Sequence, residues 1–178
     1  EQLRKQAIQL RKQSNLFEAL SYQDALTGCY NRLYLHQVIE PNIDRQLSMT
    51  AIMIDVDHFK SINDTYGHDI GDLALVTVAN CFKTLIDESR VFRIGGEEFS
   101  ILLPQTNIDE ASLLTERIRQ QQSELVITGD WQDEIKLTVS LGVSSIASTD
   151  ASFDQLFSRT DKALYLAKTS GRNRVYNL

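Results

Sequence analysis

The chain has 178 residues, 42% of them apolar and 24% charged, with a formal net charge of −6, the balance of one globular domain with a sizeable core. The acidic excess speaks against a protein that tracks nucleic-acid phosphates through a basic face, so no nucleic-acid partner is expected. A nucleotide enzyme that borrows positive charge from divalent cations stays compatible. No apolar run approaches the roughly 20 residues of a membrane span. No signal-peptide pattern follows Glu1, and Cys29 and Cys81 lack metal or disulfide-framework spacing. The expected setting is a reducing cytoplasm, and the chain reads as a piece of a longer protein, which a membrane anchor elsewhere could hold.

Residues 1–20 read as a polar helix in which Leu3, Ala7, Leu10, Ser14 and Phe17 follow a heptad spacing. Two readings stay open: an amphipathic helix packed on its own domain, and a parallel coiled coil leading to an upstream one. The chain accordingly divides into a linker helix, 1–20, and a folded domain, 21–178. Asp24 to Gly28 forms a turn into a helix from about Asn31 to Leu47. Thr50 to Ile54 is a continuous apolar run, expected of a strand buried on both faces and ending at Asp55. A polar segment leads to an amphipathic helix from Leu73 to about Ile86. Val91 to Leu103 reads as a hairpin with Gly95-Gly96-Glu97-Glu98 at its tip. A helix from Ile108 to about Ser123 follows, then a strand from Ile135 to Ile146 bent at Gly142. Ser152 and Gln155 suggest a capping box opening a helix through Ala167, which Gly171 ends, and Val175-Tyr176 forms a last edge strand. The order implies an α+β sandwich of ferredoxin-like, palm type: a split βαβ with a mostly antiparallel central sheet flanked by helices, plus the N-terminal helix.

In a split βαβ the first strand lies beside the hairpin, so Asp55 and the acids at 97 and 98 become neighbours. Carboxylates gathered in one cleft repel unless a hard cation bridges them, and Mg²⁺ takes a few carboxylates while completing its shell with water and phosphate oxygens. Side chains alternate along a strand, so Glu97 and Glu98 should not share the site equally. Lys60 sits close behind a metal-type aspartate and suits a phosphate, although a solvated surface lysine reads the same way. Asn63 and Asp72 suit turns or caps. Together they also suit a guanine edge, whose N–H groups a carboxylate accepts and which adenine cannot match. His68 reads as a packing or hydrogen-bonding residue, and Lys168 with Arg172 as helix-end cations or as triphosphate ligands.

The sequence resembles the GGDEF-domain diguanylate cyclases. Gly95-Gly96-Glu97-Glu98-Phe99 is the GGEEF form of the signature, and Asp55-Val56-Asp57-His58-Phe59-Lys60-Ser61-Ile62-Asn63-Asp64 matches D-x-D-x-F-K-x-x-N-D. Gly67-His68-Asp69-Ile70-Gly71-Asp72 matches G-H-x-x-G-D. Asp24 to Arg32 matches the family's opening motif, with Cys29 where an aliphatic residue is usual. Ala163 to Lys168, followed by Gly171 to Arg174, matches the closing one, and the likeness runs from about residue 22 to 177.

The resemblance implies condensation of two GTP into cyclic di-GMP with loss of two pyrophosphates. It implies a homodimer in which each domain holds one GTP, an upstream sensory domain, and Mg²⁺ as cofactor with Mn²⁺ the alternative. Carried over by position, Asp55, the Val56 carbonyl and Glu97 hold the metal. Asn63 and Asp72 read guanine with His68 close by. Lys60, Lys168 and Arg172 hold phosphates, while Phe59, Gly95 and Gly96 belong to the substrate cleft. Glu97 is the general base for the ribose 3′-hydroxyl, and Glu98 supports the metal or the hydroxyl. The family's inhibitory R-x-x-D falls on Ile86 and Ser89 here, so product feedback through that site is expected to be absent or weak. The alternative functions are a catalytically silent receptor for GTP or cyclic di-GMP and a purely structural dimerisation domain. The intact signature favours the enzyme.

Overall fold

The structure, a computed structural model, describes residues 1–131 and 133–178. Helix α1 spans Gln2–Ser21 and buries none of its residues. Leu3, Leu10 and Phe17 are 83%, 66% and 76% exposed, so the reading in which this helix packs on its own domain is corrected. The short strand β1 (Tyr30–Asn31) leads into a helical stretch made of α2 (Arg32–Tyr34), a π-helical turn (Leu35–Ile39) and α3 (Glu40–Asn42). The helix expected to reach Leu47 therefore stops at Asn42. Ile43 leaves it in extended conformation, and the Leu47 N–H turns back to the Asp44 carbonyl at 3.1 Å.

Strand β2 (Met49–Val56) is buried throughout. It runs one residue past the expected stop at Asp55, so Asp55 lies inside the ladder rather than at its end. The polar segment after it is helical. Phe59, Ile62, Tyr66 and Ile70 recur at spacings of three and four and pack on the core. They form α4 (Phe59–Tyr66) and the first turn of α5 (His68–Leu85). Gly67, at φ 88°, breaks the two helices apart. Asn63 and Asp72 thus sit on helices, not in turns, and the helix expected from Leu73 starts at His68. A 3₁₀ turn (Glu88–Arg90) precedes the hairpin of β3 (Val91–Arg93) and β4 (Glu98–Pro104).

Helix α6 (Ile108–Glu124) is capped by the Asn107 side chain, which accepts from the Glu110 N–H at 2.9 Å. The single long strand expected over 135–146 is two pieces, preceded by a short strand that was not expected. β5 (Val126–Ile127) pairs with β6 (Ile135–Lys136) in a two-stranded ribbon, and β7 (Val139–Ser145) joins the main sheet. The break falls at Leu137–Thr138, where the Thr138 carbonyl accepts the Asp57 N–H at 2.9 Å. Gly142 lies within β7, paired with Met53. Its bare Cα admits helix α7 (Phe153–Thr169), because a Cβ there would stand 2.2 Å from the Leu164 nitrogen and 2.5 Å from the Thr160 carbonyl oxygen. α7 starts where expected, but Ser152 makes no side-chain cap. Gln155 accepts the N–H of Ala151 at 2.6 Å instead, so the capping box is not formed. Strand β8 (Val175–Asn177) closes the chain.

The main sheet has the order β1-β3-β4-β2-β7-β8, with the central pairs antiparallel and β1/β3 and β7/β8 parallel. Strand alternation splits the core in two. Ile52, Ile54 and Val56 face α5 and α6 through Ala74, Val78, Phe82, Ala111 and Ile118, whereas Met49 and Ala51 pack with Leu102, Phe153 and Leu156 on the α7 side. Asp55 shares that second face. This is the α+β sandwich expected from the element order. No helix among the described residues is long and apolar enough to cross a membrane.

Candidate functional site

The ladder places Asp55 opposite Glu98 on one side and Ser140 on the other. Lys168, in the last turn of α7, donates to Asp55 Oδ2 at 3.1 Å. With Glu98, Asp161, Leu164, Tyr165, Thr169 and Arg172 these residues line a cavity of about 540 Å³. Burial pushes the Asp55 carboxyl above its ordinary range, Lys168 pulls it back, and the charges of Glu97 and Glu98 push it up further. Glu97 lies in the hairpin turn, half-buried, and its carbonyl accepts the Val56 N–H at 3.2 Å. Glu98 is the more exposed of the two and the one that lines the cavity.

Arg93 fixes the turn itself. Its guanidinium donates to the Gly96 carbonyl at 3.1 and 2.7 Å and to both carboxylate oxygens of Asp24 at 3.1 and 3.0 Å. Burial pushes the Asp24 carboxyl up, but hydrogen bonds from Thr27 and Arg93 outweigh it and leave it below its ordinary range. The turn following α1 is thereby tied to the Gly95–Gly96 backbone by one side chain.

A second group forms where α4 meets α5. Asn63 Oδ1 is buried without a hydrogen-bond partner. It lies against Gly71, where a Cβ would stand 1.8 Å away, with Phe59 Cζ 3.3 Å from the same point. An unpaired buried acceptor in a native fold calls for a ligand or water. His68 and Asp72 are exposed on the first turns of α5, and Lys60 is exposed on α4. Ile86 is buried at the end of α5. Ser89 lies in the 3₁₀ turn and, with Arg90, lines a separate, mostly apolar cavity of about 480 Å³ beside the π-helical turn.

Asp161, Tyr165 and Thr169 were not among the sequence candidates. Their signal was available: they share a helical face with Lys168 at spacings of three and four. Arg93 and Asp57 were also passed over, since their roles depend on partners far away in the chain. Among the described residues, no three histidine, cysteine, aspartate or glutamate side chains converge into a closed metal cage. What remains is an open set of carboxylates plus main-chain carbonyls. That suits a cation which keeps waters and substrate oxygens, as Mg²⁺ does.

A sequence model described as the diguanylate cyclase GGDEF domain matches residues 21–174. The chain is 40% identical over 163 residues to the diguanylate cyclase DgcM of Escherichia coli, a match covering 89% of this chain and 38% of DgcM, so it spans well under half of that relative. The crystal structure of the coiled coil and GGDEF domain of DgcB from Caulobacter crescentus, in complex with c-di-GMP, superposes with a TM-score of 0.89 at 26% identity, covering 98% of this chain and 94% of that one. The active GGEEF domain of a diguanylate cyclase from Vibrio cholerae is 38% identical, with a TM-score of 0.68 over 74% of this chain and 83% of that one.

Proposed function

The chain belongs to the diguanylate cyclase GGDEF-domain family, and from that premise we propose that it condenses two GTP molecules into cyclic di-GMP with release of two pyrophosphates. The observation that carries this reading is the surroundings of Asp55. A carboxylate whose ionisation is disfavoured by burial and by the charges of Glu97 and Glu98 shares one cavity with Glu98, the Lys168 ammonium and Arg172. Such a site gains from a divalent cation and a polyanion together.

Asp55, the Val56 carbonyl and Glu97 would hold Mg²⁺, or Mn²⁺ in its place. When bound, the ion supplies positive charge to the triphosphate. Lys60, Lys168 and Arg172 hold phosphate oxygens and stabilise the charge that grows on the departing pyrophosphate. Glu97 takes the proton of the ribose 3′-hydroxyl as that oxygen attacks the α-phosphorus in line. The new oxygen–phosphorus bond forms while the bond from the α-phosphorus to the bridging oxygen breaks. Glu98 supports the same wall of the site. Asn63 and Asp72 read the guanine edge beside His68, with Phe59 and the Gly95–Gly96 turn shaping the cleft. The unpaired Asn63 Oδ1 supports that assignment.

Each product molecule needs two such bonds, so two domains, each with one GTP, meet across a two-fold axis. Residues 1–20 serve as the signalling helix and 21–178 as the catalytic unit. The unburied Leu3, Leu10 and Phe17 supply a seam for a second copy, through which an upstream sensor sets the dimer's geometry. The coiled coil of the similar DgcB structure supports the same pairing. Ile86 and Ser89 leave the domain without the usual product brake. Incubation with GTP and Mg²⁺ at high protein concentration, with product read by mass, tests the proposal. A dimeric sample that binds GTP but forms no cyclic di-GMP refutes it and leaves the silent receptor.

A further inference from the structure

We propose that Asp57 is a positioning residue for Arg172, acting through the backbone of Asn173; the inference rests on the reaction proposed above. Asp57 stands two residues after Asp55 and is 3% exposed. Its carboxylate accepts from the Ser140 hydroxyl at 2.6 Å, the Thr138 hydroxyl at 2.7 Å and the Asn173 backbone N–H at 3.0 Å. Its own N–H donates to the Thr138 carbonyl at 2.9 Å. Both oxygens are engaged by the protein, so this carboxylate is built to hold the chain, whereas Asp55 faces the cavity.

What it holds is an unusual backbone. Gly171, Arg172 and Asn173 have φ of 122°, 62° and 44°. Two consecutive residues with side chains rarely adopt the left-handed region, and such a conformation persists only where its surroundings over-determine it. Four contacts do so here. The Arg172 N–H donates to the Ala167 carbonyl at 3.0 Å, Arg174 Nε donates to the Arg172 carbonyl at 3.0 Å, Arg119 donates to Asn173 Oδ1 at 2.9 Å, and Asp57 takes the Asn173 N–H. If that last contact is lost, the turn can relax toward negative φ and swing Arg172 out of the cavity it shares with Lys168 and Asp55. One side chain on the Asp55 segment thus sets the distance between the metal-side carboxylate and the phosphate-side cation.

The test compares the full chain with Asp57→Ala, Asp57→Asn, Arg172→Ala and the double variant Asp57→Ala/Arg172→Ala. Asparagine keeps an oxygen for the Asn173 N–H, and its amide can meet the Ser140 hydroxyl turned to accept. Asp57→Ala is expected to lower kcat about 10- to 100-fold, the scale of a misplaced catalytic group, and Asp57→Asn to recover most of it. The double variant should turn over no more slowly than Arg172→Ala alone. Hydrogen exchange of the Asn173 amide should speed up in Asp57→Ala and stay near wild type in Asp57→Asn. Additive kcat losses, or unchanged Asn173 protection in Asp57→Ala, overturn the proposal. If Asp57→Ala does not fold, Thr138→Val with Ser140→Ala, which strips the two hydroxyl anchors, enters the same comparison. A wild-type chain without turnover sinks the proposed function, and the exchange readout then decides this inference by itself.

Discussion

Replacing Gly71 by alanine separates folding from base recognition at one position. Gly71 lies inside α5 and is buried. A glycine in a helix interior costs about 1 kcal/mol relative to alanine, so the backbone alone favours the change. The added Cβ would meet Asn63 Oδ1 at 1.8 Å, Asn63 Cγ at 2.9 Å and Phe59 Cζ at 3.3 Å. All three atoms belong to side chains. Asn63 Oδ1 has no hydrogen bond to lose, so rotating it away costs at most the roughly 0.5–1.5 kcal/mol of an unfavourable rotamer. The two terms nearly cancel, and the melting temperature should stay within about 2–4 °C of wild type, the shift expected for 1 kcal/mol in a domain of this size. GTP binding should not survive as well. A hydrogen bond to the base removed together with Asn63 is worth about 1–1.5 kcal/mol, a weakening of about 5- to 13-fold. Thermal melts and calorimetric GTP titrations in Mg²⁺, run beside Asn63→Ala, measure both. Asn63→Ala should weaken GTP as much as Gly71→Ala, and the double variant no more than either. A Gly71→Ala protein that melts far lower yet binds GTP like wild type would refute the reasoning, because the glycine would then serve packing and Asn63 would not touch the base.

Asp55→Asn tests the cost of the acidic site. The folded-state carboxyl is raised, chiefly by burial, so its favourable contribution is complete below the ordinary carboxylate range and is lost as pH rises through the raised value. At neutral pH the substitution should leave the melting temperature equal or higher, and added Mg²⁺, expected from the proposed site to raise the melting temperature of the wild type, should not raise that of the variant. A lower melting temperature at neutral pH would show that the Lys168 pair stabilises on balance. Asp150 carries the opposite sign: its hydrogen bonds from Arg159 hold the carboxyl down to about 2. Its contribution is complete above the ordinary carboxylate range and fades as pH falls through about 2. Asp150→Asn should therefore flatten the acid limb of a stability–pH profile, and an unchanged limb would count against the pair. Phe17→Glu, placed in the exposed seam of α1, should shift sedimentation toward the monomer and lower specific activity at low protein concentration. An unaltered dimer would move the two-fold contact elsewhere.

Much of this domain was legible residue by residue. The unbroken run from Thr50 to Ile54 read as a strand buried on both faces, and Gly95-Gly96 between two apolar stretches read as a turn, as the structure has them. The heptad in residues 1–20 was visible, but whether its apolar positions face the domain was not, since amphipathicity does not name the partner. The helices from Phe59 to Leu85 were misjudged at their start because the density of polar residues and Gly67 masked a three–four periodicity in Phe59, Ile62, Tyr66 and Ile70. The strand expected to bend at Gly142 broke earlier, since the glycine answers to the approach of α7 and not to local backbone need.

The amino-acid order by itself determined the elements, the residue types and the motifs, because periodicity and turn chemistry act over a few residues. It singled out Asp55 at the end of an apolar run and gave Asp57, two residues on, no role. Only the tertiary structure decided what Asp57 does. Asp57 is occupied by Ser140 and Asn173, 83 and 116 positions away, while Asp55 is left facing Lys168, 113 positions away. Strand register and the seating of α7 on Gly142 bring those partners in. A carboxylate becomes a cation ligand or a structural clamp according to the donors that arrive, which no local pattern encodes.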